Sequence, residues 1–344
     1  MAARVSLSSR RRHWAKIDAA SESRLQVSCV PAPGRASWIS LPMITRVVIT
    51  GANSAVGQAI LRRAAQHPDL MLVAAVRSER AMADLPPLPP EQRVRIDYQD
   101  PASLQAAFTG AAAVVHLAGT LIERPGSTYE LANVHTTRAV VAAASASGVG
   151  KLVLVSAIGA DAKSSNRYFR TKGQAEDAVR ASGLAHTILR APLLLGPGTE
   201  GTAAVERHLS KPTVTLPGGG ANWQQPLYVD DLARAALVAS NQSVARDTTL
   251  SVVGPEAIRE REIIERMAAA SGRAITIKSV PVALLRVILQ IQGLFKAGGF
   301  SAEVLDVITA DTQMDHSPAT QVLGFPLTGI DTMIGRGLDP VQRG

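Results

Sequence analysis

The chain has 344 residues and an apolar content of 46%, enough for one large or two ordinary globular domains. Its formal charge of +8 is no nucleic-acid signature: Arg4, Arg10, Arg11, Arg12, Lys16, Arg24 and Arg35 against Asp18 and Glu22 put +5 of it in residues 1–42 and leave +3 dispersed over the rest. No apolar run approaches the ~18 residues of a membrane span, so a soluble, cytoplasmic protein is expected.

Residues 1–42 are rich in serine and arginine and show neither helical nor strand periodicity, so a disordered leader is expected there. Met43 stands directly before Ile44-Thr45-Arg46-Val47, and the leader is read as an overlong start; the alternative is an organellar transit peptide, which would imply import. The sole cysteine, Cys29, lies in the leader, which leaves the remainder without a disulfide, a thiolate metal site or a cysteine nucleophile. The histidines show no pair at ligand spacing, so no metal site is expected.

Val47-Val48-Ile49-Thr50 is a β-branched run that ends in Gly51-Ala52-Asn53-Ser54-Ala55-Val56-Gly57 and passes into an apolar helical pattern. Strand, glycine-bearing turn and helix start make a dinucleotide-binding unit. Gly51 permits the tight turn, the backbone from Asn53 through Ser54, Ala55 and Val56 offers N–H groups to a pyrophosphate, and Gly57 lets the helix pack closely on the strand. The spacing Gly51-x-x-Ser54-x-x-Gly57 resembles the Gly-x-x-Gly-x-x-Gly turn of extended and atypical short-chain dehydrogenases/reductases. Ser54 departs from that pattern, so either the pyrophosphate sits farther out or the serine hydroxyl bonds a phosphate oxygen.

Residues 70–76 read as a second buried strand, which ends at Arg77. An NAD-selective unit carries an acid at this distance from its last glycine, for the ribose 2′-hydroxyl. An arginine cannot accept that bond but can clamp a 2′-phosphate, so NADP(H) is favoured and NAD(H) is the second choice. The alternative is a solvated strand-end arginine beside Arg80. A proline-rich loop over 83–90 leads to a third strand, 93–96, and to Asp97 and Tyr98. The resemblance implies that Asp97 contacts the adenine; it could equally cap a turn before Asp100-Pro101. Strand four, 111–117, brings Leu117 to the candidate site and is followed by Ala118-Gly119-Thr120, where small residues let a ligand approach the backbone. A helix over 129–147 carries Asn133 and closes at Gly148 and Gly150, before strand five at 152–155. This alternation implies an α/β fold of the Rossmann type, a doubly wound parallel sheet with helices on both faces.

Tyr168 and Lys172 lie four apart on the following helix, on one face and about 6 Å apart along its axis, so phenol and ammonium can address a common ligand. The ammonium is expected to lower the phenol pKa and to hold a ribose. This is the Tyr-x-x-x-Lys signature of the short-chain dehydrogenases. The family's third group is a hydroxyl just past strand five, where this sequence reads Ser156-Ala157. Ala157 occupies the hydroxyl position, and Ser156 substitutes only if the strand end twists or bulges. Further on, strand six at 185–189 leads to Arg190-Ala191-Pro192 and Gly196-Pro197-Gly198, resembling the segment that lies over nicotinamide in the extended family and adding Pro192 to the candidate site. Gly218-Gly219-Gly220 reads as a flexible connector or lid, and Asp230 as a helix N-cap.

From Thr248 onward come another strand, a helix with Arg259, Glu262 and Arg266 outward, and a strand at 275–280. The apolar stretch 282–295 is expected to be a buried helix of a small substrate-side lobe, with a membrane-surface helix as the lesser reading. Residues 43–198, completed by 225–256, form the expected NAD(P)-binding domain; 199–224 and 257–344 form the C-terminal lobe. The resemblance is strongest to the atypical members that include the nucleotide-binding accessory subunit of respiratory complex I and the NmrA-like redox sensors. It implies an NADP(H)-dependent oxidoreductase acting on a carbonyl or hydroxyl of a small molecule. The alternatives are a non-catalytic NADPH-binding sensor or accessory subunit of a partner protein complex, and an NAD-dependent sugar-nucleotide epimerase or dehydratase.

Overall fold

The computed structural model describes residues 45–63, 66–295 and 299–337. The expectations for residues 1–42 and for Cys29 lie outside them. The expected α/β alternation is realised around a seven-stranded sheet in the order β11-β6-β5-β4-β1-β2-β3, every neighbour parallel. In chain order its first half comprises β1 (Thr45–Thr50), α1 (Ala55–Arg62), β2 (Leu70–Val76), α2 (Glu79–Ala83), β3 (Arg93–Arg95), α3 (Pro101–Phe108), β4 (Ala113–His116), α4 (Thr136–Ala146) and β5 (Lys151–Ala157). Then follow α5 (Arg167–Arg180), β6 (His186–Ala191), β7 (Leu194–Leu195), α6 (Glu200–Leu209), β8 (Thr213–Pro217), β9 (Trp223–Gln224), β10 (Leu227–Tyr228), α7 (Val229–Ser240) and β11 (Thr248–Ser251). The C-terminal part holds β12 (Ile258–Arg259), α8 (Glu260–Ala270), β13 (Thr276–Val280), α9 (Val282–Phe295), α10 (Ala302–Thr309), α11 (Ser317–Leu323) and α12 (Ile330–Gly337).

Alternation along each strand feeds two cores. Val47, Ile49, Val115, Val153 and Leu189 point to the side covered by α1 and α7, whereas Val48, Val114, Leu152, Leu154 and Ile188 point to the side covered by α3, α4 and α5. Both faces are therefore apolar, which is why the central strands read as continuous hydrophobic runs. The chain doubles back between β1 and β4, and the crevice beyond the carboxyl ends of those strands is where this topology places ligands.

Three expectations fail locally. Asp230 is not the N-cap of α7, which starts one residue earlier behind Tyr228; the carboxylate sits in the first turn, 3.8 Å from Arg63, and suits the positive end of the helix there. Its neighbour Asp231 accepts from the N–H and hydroxyl of Thr328, tying the C-terminal segment down. Gly218 to Gly220 form no flexible lid: all three have positive φ in a tight 3-10 turn, Gly219 and Gly220 are buried, and a Cβ on Gly220 would stand 2.8 Å from the Arg261 nitrogen. Finally, α9 is a helix as expected, but it is not buried. Leu284, Val287, Ile288 and Ile291 are exposed, while Val282, Leu285 and Leu289 are half-buried on a helix that packs against α10. Among the described residues no helix is long and apolar enough to cross a membrane, and no group of acidic, histidine or cysteine side chains could hold a metal ion.

Candidate functional site

The loop after β1 is built by three local constraints. Gly51 has φ +73°, and a Cβ on it would stand 3.1 Å from the Ala118 nitrogen, so the turn is both left-handed and pressed against the segment after β4. Ser54 caps α1 by accepting from the Gly57 N–H at 3.2 Å. That hydroxyl retains its own proton as a donor, and the residue is exposed at the helix mouth. Gly57 does its work differently from the expectation. A Cβ there would lie 2.4 Å from the Ala52 oxygen, so the close approach is of helix to its own loop rather than to the strand. Asn53 and Ala55 are half-buried in the same turn and Val56 anchors it in the core. Gly198 closes the loop from above: a Cβ on it would stand 3.7 Å from the Ala55 Cβ.

Arg77 is exposed at the end of β2, with Ser78 capping α2 behind it through the Ala81 N–H. Its guanidinium lies near Tyr98, whose phenol burial pushes up to about 12 while Thr50 and Arg77 pull the other way. Asp97, at the end of β3, uses its carboxylate on the Gln99 N–H at 2.9 Å, in the turn-capping role that was its alternative.

The centre of the site lies beyond β4, where Leu117 and Ala118 are half-buried and Gly119 is exposed. A Cβ on Gly119 would be 2.9 Å from Asn133 Oδ1 and 3.6 Å from Lys172 Nζ, so a side chain there would fill the space in front of the ammonium. Asn133 accepts from the Thr120 N–H at 3.1 Å and donates to Thr171 Oγ1 at 3.0 Å, joining the β4 loop to α5. It can reach both because the expected helix over 129–147 begins as a π-helical segment, Glu130–His135, whose wider turn re-aims one residue. Lys172 Nζ donates to the Val155 carbonyl at 3.0 Å. Burial lowers its pKa to about 8, against a smaller opposing pull from Glu176.

Below this centre runs a buried polar chain that sequence reading did not single out. His116 shares a 2.6 Å hydrogen bond with Thr50 Oγ1 and a 3.2 Å one with Thr137 Oγ1, and Thr137 donates to the Asn133 carbonyl at 2.6 Å. Burial, with Lys172 adding, drives the His116 pKa down to about 3, so the ring is neutral. A histidine ending an otherwise apolar strand was the available signal.

Two expectations about the catalytic group change. Ser156 does not join Tyr168. β5 keeps regular register through its end, pairing Ser156 with Arg190 and Ala157 with Ala191, so no bulge rotates the serine. Its buried Oγ lies beside the Glu176 carboxylate without a well-formed hydrogen bond, two helical turns or about 12 Å along α5 from Tyr168. Glu176 is itself fully buried and held by Arg190 at 2.6 and 2.8 Å and by Arg180 at 2.7 Å. Burial pushes its carboxyl up, yet these arginines bring it below the usual range. Arg190 therefore serves this ion pair, and half-buried Pro192 follows it beyond β6. The second change concerns the phenol. Tyr168 packs edge-on against Tyr129 at 5.8 Å and tilted against Phe169 at 5.5 Å, and burial, with Tyr129 adding, raises its pKa rather than Lys172 lowering it. The ammonium is turned to Val155 and does not act on the phenol in this arrangement.

Glycine positions that a Cβ would fill, an N-capped helix mouth and a lysine with one hydrogen bond fit a dinucleotide better than a bare substrate cleft. Residues 51–216 match the family described as NAD(P)H-binding. The chain is 28% identical over 233 residues to NADH dehydrogenase (ubiquinone) 1 alpha subcomplex subunit 9, mitochondrial, of Arabidopsis thaliana, a match covering 64% of this chain and 56% of that protein. It is 29% identical over 199 residues to ceramide reductase of Caulobacter vibrioides, covering 56% of this chain and 60% of that one. The matches thus span little more than half the length of these two relatives. Among solved structures, an NADPH-dependent quinone oxidoreductase from Escherichia coli complexed with NADPH superposes with a TM-score of 0.66 at 20% identity, over 85% of this chain and 100% of that one, a likeness of fold.

Proposed function

We propose that this chain, whose residues 51–216 match the NAD(P)H-binding family, is an atypical short-chain dehydrogenase/reductase that binds NADP(H) in preference to NAD(H) and reduces the carbonyl of a small molecule. The observation that carries this reading is the space before Gly119, faced by a buried ammonium with one recorded hydrogen bond among the described residues. Two further N–H groups of Lys172 are then left for the hydroxyls of a ribose. The N–H groups at the mouth of α1 would hold the pyrophosphate, and the Arg77 fork a 2′-phosphate.

The coenzyme would supply the hydride to the carbonyl carbon. Tyr168 would give its phenolic proton to the carbonyl oxygen as charge develops there, and recover it from solvent. Burial keeps the phenol protonated and ready to donate, which suits reduction more than oxidation. A second reading is binding without turnover, as a sensor or accessory subunit. It is favoured by Ala157 and by the diversion of Ser156 to Glu176, which leave no β5 hydroxyl to orient a substrate oxygen.

Calorimetric titration with NADPH and NADH, then NADPH oxidation with a carbonyl panel that includes a quinone and a ceramide-type substrate, separates the two. Reduction predicts that Tyr168→Phe lowers kcat by about 10²–10⁴ with NADPH affinity unchanged. Tight binding without turnover in both proteins would leave the sensor reading standing.

A further inference from the structure

The outward face of α9 takes no part in the candidate site. Leu284, Val287, Ile288 and Ile291 recur at helical spacing and are 53%, 51%, 41% and 53% exposed. With Ala283 they fall within an arc of about 140° at ~100° per residue, wider than the apolar stripe of an ordinary surface helix. Arg286 lies off this arc, held by Asp306 of α10. Phe300, just before α10, is another exposed large apolar residue, 51% accessible.

We propose that this face docks on an anionic lipid bilayer, with α9 lying in the plane of the interface. Charge is the first argument. Residues 266–302 contain Arg266, Arg273, Lys278, Arg286 and Lys296 and no aspartate or glutamate; Arg266 and Arg286 pair with Asp331 and Asp306 outside the segment, which leaves Arg273, Lys278 and Lys296 to carry its excess positive charge. An acid-free basic segment interrupted by an aliphatic helix is complementary to a negatively charged membrane surface, and exposed Lys278 lies on β13, four residues before the helix. The second argument is length: 14 residues span about 21 Å at ~1.5 Å per residue, too short to cross a hydrocarbon core but enough to lie along it. The third is composition. Protein interfaces concentrate their energy in tryptophan, tyrosine and arginine, and this arc holds only alanine, leucine, valine and isoleucine.

The docking face is continuous with the wall of the candidate site. Gly299 N–H donates to the Glu123 carbonyl at 2.9 Å, and Asn166, which caps the helix of Tyr168, donates through Nδ2 to the Glu303 carbonyl at 3.0 Å; Ser301 reaches Tyr129. A lipid surface against α9 would thus lie beside that mouth. The docking itself does not depend on which coenzyme binds or on whether turnover occurs.

The test is flotation of the full chain with phosphatidylcholine vesicles, with and without phosphatidylglycerol. Binding is expected to the mixed vesicles, weaker binding to neutral ones, and loss of the difference at high salt. The double substitution Val287→Asp and Ile291→Asp should reduce partitioning by about tenfold or more, while thermal unfolding and NADPH affinity remain those of the wild type. Lys278→Glu should reduce only the phosphatidylglycerol-dependent part. A Leu284→Trp variant should show a blue-shifted emission on adding mixed vesicles. Absence of flotation with either vesicle overturns the proposal, as does equal flotation of the double variant. Wild-type self-association that the double variant abolishes, without vesicle binding, would make a second copy the occupant and overturn it as well.

Discussion

Replacing Gly57 by alanine asks whether the loop between β1 and α1 is a binding surface or only a turn. The added Cβ would lie 2.4 Å from the Ala52 oxygen and 2.6 Å from its carbonyl carbon, both backbone atoms of a wholly buried residue. Relaxing that approach to an ordinary carbon–oxygen contact of ~3.3 Å requires the loop to open by about 1 Å. A displacement of that size carries N–H groups out of the ~2.7–3.2 Å range in which they bond an oxygen. Loss of one hydrogen bond to a charged phosphate is worth roughly 1.5–3 kcal/mol, or a factor of about 10–150 in Kd. Folding stability should also fall, by about 1–3 kcal/mol of overpacking. Gly110→Ala supplies the control. Its φ of +69° imposes a left-handed cost of ~1–2 kcal/mol, yet a Cβ there meets nothing within 4 Å. Isothermal titration with NADPH, alongside chemical denaturation, should show both variants destabilised and only Gly57→Ala deprived of coenzyme. Unchanged NADPH affinity in Gly57→Ala, or an equal loss in Gly110→Ala, would refute the assignment of the loop to the pyrophosphate.

Two more outcomes are expected. Arg77→Asp should weaken NADPH binding by about 10–150-fold, the worth of a charge-assisted pair, while NADH binding changes far less; equal losses in parallel titrations would remove the 2′-phosphate clamp. His116 has a folded pKa near 3 against 6.5 unfolded, so between those values the unfolded chain binds the additional proton and wild-type stability declines as the pH falls. That contribution is present in full above pH 6.5, and His116→Gln should flatten the decline in denaturant melts collected across the window; a slope identical to wild type would mean that the ring titrates normally.

What the sequence made legible was whatever depends on neighbours along the chain. The strand–turn–helix order at Val47 to Gly57 and the small residues after β4 could be read because each is a local demand on backbone conformation or side-chain size. These elements reach one edge of the sheet because parallel strands linked by right-handed crossovers leave no other arrangement. The π-helical start at Glu130 and the turn at Gly218 were not legible. Both arise from packing between segments far apart in sequence: Asn133 on Thr171, and Gly220 on Arg261.

The direction of an electrostatic effect was harder still to read. Tyr168 and Lys172 do share a helix face, and from spacing alone the cation should draw the phenol pKa down. Spacing specifies where the two Cα atoms stand, but the shift depends on the competing partners. Val155 offers a carbonyl to the ammonium, Tyr129 offers the phenol an apolar ring, and desolvation then moves the two groups toward their neutral forms, lysine down and tyrosine up. Each neutral form is the less costly one to keep buried while no ligand shares the space before Gly119. A polyhydroxyl ligand entering that space would give the ammonium oxygen acceptors, favour its charged form and bring a cation back toward the phenol. A lowered Tyr168 pKa would then be a property of the complex rather than of the chain alone, because in the free protein burial and Tyr129 hold it raised.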